Sequence, residues 1–118
     1  MSISYSFSNN SKREKQMNCH GGKGYVIFRE VFGKENFQSN IQFFHETIIP
    51  TGSEIGYHQH TGNEETYYVV EGTGYLIADN IKQKVKKGDA VITHSGSSHG
   101  LINTGKSDLK IIVFEGKY

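Results

Sequence analysis

Short runs of β-branched and aromatic residues divide most of this sequence into segments of single-strand length. Glycine, proline, asparagine, aspartate or serine bounds each run, and no segment carries a sustained helical stripe. Nine strands are predicted, over residues 25–32, 41–49, 56–60, 66–70, 75–78, 81–85, 90–93, 98–102 and 109–114. Residues 33–40 have room for one helical turn, and residues 79–80 suit a tight hairpin. Many short antiparallel strands predict an all-β sandwich or jelly-roll barrel.

The domain organisation follows from length and from the polar start of the chain. At 118 residues the chain is typical of one domain with one core. Residues 1–22 are rich in Ser, Asn, Lys and Gln and predict a polar N-terminal arm. We expect this arm to be ordered by packing on a partner or over a pocket mouth. Residues 23–118 are predicted to form a single barrel domain.

Charge and hydropathy narrow the range of partners. A formal net charge of +1, with 21% charged residues, gives no reason to expect nucleic-acid or membrane binding. The one cysteine, Cys19, has no internal disulfide partner, which fits a reducing compartment. The first 17 residues lack the apolar core of a signal peptide, and no apolar run approaches the ~20 residues of a membrane span. We therefore expect a cytoplasmic protein that binds a small molecule.

Histidines and a carboxylate at strand spacing indicate a metal site. On a strand, residues i and i+2 point to the same face about 6.6 Å apart, so His58 and His60 can converge on one ion. A turn over residues 61–64 would bring in Glu65 from the next strand, and a later segment contributes His99. Three imidazoles and one carboxylate suit a divalent ion of manganese, iron, cobalt, nickel or zinc.

Strand parity predicts which side chains share the lumen with these ligands. If Glu65 points inward, Tyr67 and Val69 do so too, while Glu64 points outward. Glu65 rather than Glu64 is therefore the predicted ligand. Leu101 shares the inner face with His99, so the predicted lumen is mostly apolar around the metal.

Residues 52–72 and 88–103 closely resemble the paired motifs of the cupin superfamily. The first keeps glycine, five residues, His-x-His, four residues, Glu, six residues and glycine. The second departs once, because His94 stands where the family usually has proline. The resemblance implies a double-stranded β-helix, or jelly-roll, barrel with one divalent metal ion. It does not name a reaction, since cupins include dioxygenases, decarboxylases, isomerases, epimerases, lyases and storage proteins.

Residues beside the ligands are candidates for proton transfer or ligand binding. Tyr67 is a candidate catalytic residue by parity. His45 or Glu46 is a second one, but these neighbours face opposite sides of a strand and only one can reach the lumen. Arg29 and Lys23 are possible clamps for a carboxylate or phosphate.

Three further histidine and cysteine positions are expected to lie outside the site. We expect His94 to be an exposed turn residue. Cys19 and His20 form a potential ligand pair, but their place in the polar arm favours a solvated loop.

Three classes of function remain open on the sequence alone. The favoured one is a metal-dependent enzyme of isomerase, epimerase or lyase type acting on a small oxygen-rich molecule such as a sugar or keto acid. The alternatives are an iron-dependent dioxygenase and a non-catalytic module that binds a small ligand.

The sequence also predicts a homodimer. Residues 25–32 carry more apolar surface than one face of an outer strand needs, and unpaired apolar edges invite association. We expect this strand or the N-terminal arm to pack on a partner barrel. A monomer whose own arm covers the strand is the competing arrangement.

Overall fold

The computed structural model describes residues 2–118, which form ten β-strands and three short 3₁₀ helices. The strands are β1 (Arg13–Met17), β2 (Tyr25–Gly33), β3 (Ile41–Ile49), β4 (Glu54–Gln59), β5 (Asn63–Glu71), β6 (Thr73–Ala78), β7 (Ile81–Lys86), β8 (Ala90–Thr93), β9 (Ser98–Ile102) and β10 (Leu109–Lys117). The 3₁₀ helices are Ser8–Asn10, Cys19–Gly21 and Lys34–Asn36. Over the described residues, no helix is long and apolar enough to cross a membrane.

Two antiparallel sheets form a jelly-roll barrel, as predicted. The larger sheet has six strands in the order β1-β2-β3-β10-β5-β8, and the smaller has four in the order β4-β9-β6-β7. Burial alternates along the central strands, because successive side chains of a strand point to opposite faces. In β10, Leu109, Ile111 and Val113 are buried and the residues between them are not. The core therefore lies between the two sheets.

The core is built mainly of aliphatic side chains from both sheets. Ile49, Leu101, Leu109 and Ile111 are each at most 1% exposed. Asn103 is a fully buried polar residue, and its Nδ2 donates to the carbonyl oxygens of Ile49 (2.7 Å) and Ser107 (2.8 Å). These hydrogen bonds connect the end of β9 to the end of β3.

The structure contains all nine predicted strands, although several are longer than predicted. A 3₁₀ helix lies within residues 33–40, and Asp79 takes the left-handed backbone (φ 50°) expected of the tight hairpin. The turn predicted over residues 61–64 is shorter than expected, because β5 already begins at Asn63.

One strand, β1, lies within the N-terminal arm and was not predicted. All five of its side chains are exposed, so it has no alternation of apolar and polar residues to reveal it. It pairs along β2, from Arg13 opposite Arg29 to Met17 opposite Tyr25. The prediction that β2 offers an unpaired edge is therefore wrong, since the arm of the same chain covers it. The arm boundary at residue 22 stays a prediction.

Candidate metal centre

The predicted ligands meet at one end of the barrel, between the two sheets. His58 on β4 lies directly opposite His99 on β9, and the pairing of these strands shifts register between Ile55 and His58. His60 follows the end of β4, and Glu65 enters from β5 in the other sheet. Sequence spacing and sheet packing together bring the four side chains into one cluster.

Within the cluster, three imidazole nitrogens and one carboxylate oxygen converge. The Nε2 of His99 lies 2.9 Å from that of His60 and 3.2 Å from that of His58. Oε1 of Glu65 lies 3.1 Å from Nε2 of His99 and 3.4 Å from Nε2 of His60. One potential ligand atom from each residue lies within 4.8 Å of all the others, so the cluster can hold a metal ion.

Hydrogen bonds on the far side of each ring set its orientation. Nδ1 of His58 donates to the carbonyl oxygen of Gly56, and Nδ1 of His60 donates to Oδ1 of Asn63, both at 2.7 Å. Nδ1 of His99 lies 2.7 Å from the hydroxyl of Thr93. A neutral imidazole that donates through Nδ1 carries its lone pair on Nε2. Outer partners of this kind orient the histidine ligands of metal sites.

The cluster fits a divalent metal better than it fits a self-contained hydrogen-bond network. The Nε2 of His99 has His58, His60, Glu65 and the hydroxyl of Tyr67 as close neighbours, and one nitrogen cannot satisfy them all. Lone pairs that face one another repel unless a cation lies between them. The donor set of three nitrogens and one oxygen suits a first-row ion.

The pKa shifts of His58 and Glu65 also suit metal binding. Burial lowers the pKa of His58 to about 4, with the hydrogen bond to Gly56 opposing the shift, so this imidazole is neutral at pH 7. For Glu65, burial works to raise the pKa, but the hydrogen bond from His99 and the charges of the histidines outweigh it and lower the pKa. Neutral imidazole and ionised carboxylate are the forms that bind a metal.

A cavity of about 150 Å³ opens beside the cluster. Its apolar lining is supplied by Val26, Phe28, Phe43, Ile55 and Val113. Its polar lining is supplied by Gln16, Cys19, His20, His45, Thr47, Glu65 and Tyr67. None of these lining residues is Lys or Arg.

Tyr67 faces this cavity, as strand parity predicted. Its side chain is 3% exposed, whereas the next residue, Tyr68, is 44% exposed on the other face of β5. The Tyr67 ring stacks on that of His99, with centroids 4.6 Å apart, and its hydroxyl lies 3.2 Å from Nε2 of His99. Burial and the Glu65 carboxylate raise the pKa of Tyr67, which therefore keeps its phenol proton.

His45, and not Glu46, reaches the cavity. The His45 ring lies near those of Phe28 and Phe43, at centroid distances of 5.0 and 4.4 Å, and its Nε2 is 3.3 Å from Oε1 of Glu30. Glu46 points to the other face of the sheet, where it accepts a 2.6 Å hydrogen bond from Arg29.

The two cationic side chains considered as ligand clamps lie away from the cavity. Arg29 is buried on the outer side of the larger sheet, where Nη2 also donates to Oγ of Ser6 at 2.9 Å. Lys23 is exposed. Neither lines the cavity beside the cluster.

The expectation of a solvated loop for Cys19 and His20 is wrong for Cys19. Cys19 is 8% exposed and lines the cavity, and burial raises the pKa of its thiol. His20 is exposed, but its ring lies flat against that of His58, with centroids 3.6 Å apart and planes 10° apart. The polar composition of the arm concealed both contacts, because they depend on packing against β4. His94 is exposed as expected, with Nδ1 3.0 Å from Oε1 of Glu64.

Sequence reasoning also missed a second carboxylate, that of Glu115. It lies opposite Glu65 in the β10–β5 pairing, and its Oε1 is 3.7 Å from Nδ1 of His60. Burial and the charge of Glu65 raise the pKa of Glu115. It lies on β10, outside both motifs, so motif spacing could not reveal it.

Comparison with known proteins agrees with this architecture. The family model of the cupin domain matches residues 44–115, and the chain belongs to the cupin family. It is 35% identical over 99 residues to an oxalate-binding protein of Thermotoga maritima, across 84% of this chain and 82% of the relative. It is 37% identical over 86 residues to an uncharacterized protein of Methanocaldococcus jannaschii, across 73% of this chain and 69% of that protein.

The fold is also similar to that of solved cupins. The crystal structure of a predicted oxalate decarboxylase from Thermotoga maritima superposes with a TM-score of 0.92 at 32% identity, covering 96% of this chain and 98% of that one. A structure described as a putative sugar phosphate isomerase from Acidithiobacillus ferrooxidans superposes with a TM-score of 0.70 at 25% identity, covering 80% of this chain and 60% of that one.

Proposed function

We propose that this protein holds one divalent metal ion through His58, His60, Glu65 and His99, and binds a small carboxylic acid of about the size of oxalate beside it. The convergence of three Nε2 atoms and one carboxylate oxygen at the edge of a small cavity is the observation that carries the proposal. The similarity to an oxalate-binding protein supports the choice of ligand class.

The cavity has room for a ligand of about the size of oxalate. A cavity of about 150 Å³ elsewhere holds a benzene molecule, which has six heavy atoms. Oxalate also has six heavy atoms, whereas a hexose has twice as many. The volume therefore accommodates a two- to four-carbon acid, and the choice of an acid over a sugar rests on the similarity to an oxalate-binding protein.

The chemistry of the cavity suits an acid that is bound at the cluster. When bound, the ion supplies a Lewis acid for the carboxylate oxygens of the ligand. Tyr67, which keeps its proton, donates a hydrogen bond from the cavity wall, and the hydroxyl of Thr47 and the amide of Gln16 offer further donors. The apolar wall limits water and strengthens each of these interactions.

Metal analysis followed by ligand titration tests the proposal. We expect protein purified without added ions to contain about one equivalent of manganese, iron, cobalt, nickel or zinc, and His99→Ala to lose it. Glu64→Gln is the matched control, because Glu64 pairs with the exposed His94 outside the cluster. Calorimetric titration of the loaded protein should detect oxalate or a related small acid. Stoichiometric metal retention by His99→Ala would refute the metal site, and failure of every two- to four-carbon acid to bind would refute the ligand class.

A second candidate function is a proton-transfer enzyme acting on a small keto or hydroxy acid. The observation that favours it is the His45 imidazole, which lines the cavity and lies 3.3 Å from the Glu30 carboxylate. A histidine so placed is a suitable acid or base. The expected result is exchange of α-protons of a small keto acid into deuterated water, lost in His45→Gln and kept in Glu46→Gln. Exchange that survives in His45→Gln would exclude His45 as the acid or base. Oxygen uptake by the iron-loaded protein would instead indicate a dioxygenase.

We further propose that two chains pair through the outer face of the larger sheet. Support comes from neighbouring apolar side chains on β5 and β8, where Tyr68, Val70 and Ile92 are 44%, 40% and 50% exposed. A twofold contact would cover both copies of this patch. Sedimentation should give a dimer at micromolar concentration, with Ile92→Lys monomeric. Ile81→Lys is the control, since Ile81 is 65% exposed on the other sheet. A monomeric parent protein would overturn the pairing.

A further inference from the structure

The loop of residues 18–22, here called the clamp loop, is strained and tightly held. Asn18 and His20 both have φ of 49°, and Gly21 has φ of 77°. Asn tolerates this left-handed backbone, whereas for His20 it is unfavourable and is kept only when the surroundings enforce it. The amide of Asn18 donates to the carbonyl of Gly24, and that of Gly21 donates to the carbonyl of Asn18, both at 2.9 Å.

Backbone-to-backbone packing fixes the clamp loop against β4. A Cβ atom added at Gly56 would collide with the carbonyl oxygen of His20 and lie 2.7 Å from the amide nitrogen of Gly22. A Cβ at Gly22 would lie 2.6 Å from the carbonyl oxygen of Glu54. Only glycine at these two positions allows so close an approach. This close approach of the two backbones places the His20 ring flat against the ring of His58 on β4.

His58 is the least enclosed member of the cluster. His60 and Glu65 are each 7% exposed and His99 is fully buried, whereas His58 is partly exposed. The hydrogen bond from Nδ1 to Gly56 restrains one edge of its ring, and the stacked His20 ring covers one face. Without His20 that face would meet water, and the ring could turn away from the cluster.

We propose that His20 is a positioning residue that holds His58 in the orientation needed for metal binding and slows release of the ion. Two parallel rings 3.6 Å apart cannot both aim their in-plane lone pairs at one point, so His20 acts through stacking and not as a fifth ligand. The inference rests on the proposed metal-binding function. The effect of His20 on the orientation of His58 can be measured with or without the ion.

Two substitutions of His20 separate stacking from ligation. Asn tolerates the left-handed backbone but has no ring, while Phe keeps a flat ring without nitrogen atoms. We expect His20→Asn to weaken affinity for Mn²⁺ or Zn²⁺ by roughly 10- to 100-fold, the range typical of outer-shell partners, and to speed transfer of the ion to a chelator. His20→Phe should remain within a few-fold of the parent. His94→Asn, at an exposed histidine away from the cluster, should change neither value.

A second pair of variants tests the clamp loop without altering either ring. Gly56→Ala should push the loop away from β4 and reproduce the faster release of the ion. Gly116→Ala is its control, because a Cβ there would meet nothing within 4 Å and Gly116 does not have a positive φ. Thermal unfolding of each variant shows whether the barrel is intact.

The outcomes are separable from failure of the proposed function. Equal loss of affinity in His20→Phe and His20→Asn, with the barrel of both variants intact, would show that a flat ring is not sufficient and overturn the stacking role. Parent-like affinity and release in His20→Asn would also overturn it. If the parent binds no metal, the proposed function fails, and the ring-proton shifts of His58 then test the positioning alone. A ring-current shift that is present in the parent and His20→Phe and absent in His20→Asn supports it, and identical spectra reject it.

Discussion

Replacement of Tyr67 distinguishes a wall residue from a group that contacts the ligand. Tyr67→Phe removes one hydroxyl, which lies 3.2 Å from Nε2 of His99, and leaves the buried ring in place. Tyr67→Ala removes the whole side chain, which is 3% exposed and stacked on His99. The two variants therefore separate the contribution of the hydroxyl from that of the ring.

The expected magnitudes follow from these contacts. Loss of one hydrogen bond costs about 1 kcal/mol of unfolding free energy, and loss of a buried aromatic side chain costs about 3–5 kcal/mol. The entropy of unfolding is about 0.25 kcal/mol/K for a chain of 118 residues. The melting temperature of the metal-free protein should therefore fall by about 4 °C in Tyr67→Phe and by about 12–20 °C in Tyr67→Ala.

Ligand binding gives the decisive readout. Tyr67→Phe should keep its metal content but bind the small acid about tenfold more weakly, because a hydrogen bond inside the cavity is lost. Calorimetry measures the affinity, elemental analysis the metal and thermal unfolding the stability. Tyr75→Phe is the control, since Tyr75 lies on β6 and does not line the cavity. If Tyr67→Phe binds the acid as tightly as the parent and has the same activity, the hydroxyl has no role in binding or in activity. An unchanged melting temperature in Tyr67→Ala would refute the packing argument.

Three further predictions concern two members of the metal cluster, Glu65 and His58, and the buried residue Asn103. Glu65→Gln should lower metal affinity at least tenfold and Glu64→Gln less than twofold, measured by chelator competition; equal losses would contradict the parity argument. Because the pKa of His58 is about 4 in the folded protein and 6.5 is its ordinary value, its contribution to stability is complete above pH 6.5 and is lost as the pH falls through about 4. Urea unfolding of the metal-free protein should show this loss, and His58→Gln should reduce it; an unchanged pH profile in that variant would exclude His58 as the cause. Asn103→Ala should cost about 1–3 kcal/mol in the same assay, because it leaves buried carbonyls unpaired, and a loss below 0.5 kcal/mol would exclude that role.

Much of the fold and most of the candidate site could be predicted from the sequence, because their causes are local. Strand-length runs between turn residues predicted nine of the ten strands. The two-residue period of a strand placed Glu65, Tyr67 and Val69 inside, and their burial agrees. His58, His60, Glu65 and His99 could be grouped because the motif spacing encodes their strands and turns.

Other features depended on which surfaces meet in three dimensions. β3 carries aromatic residues on both faces, so alternation alone could not tell whether His45 or Glu46 points into the barrel. His45 points inward because the second sheet covers its face of β3. Strand β1 has five exposed side chains and gains its order from pairing with β2, a contact that its own residues do not encode as a pattern. Cys19 and His20 join the site because the clamp loop packs on Gly56, more than thirty residues later in the chain. Local patterns determine the strands and their alternation, but contacts between distant segments decide which face becomes the inside.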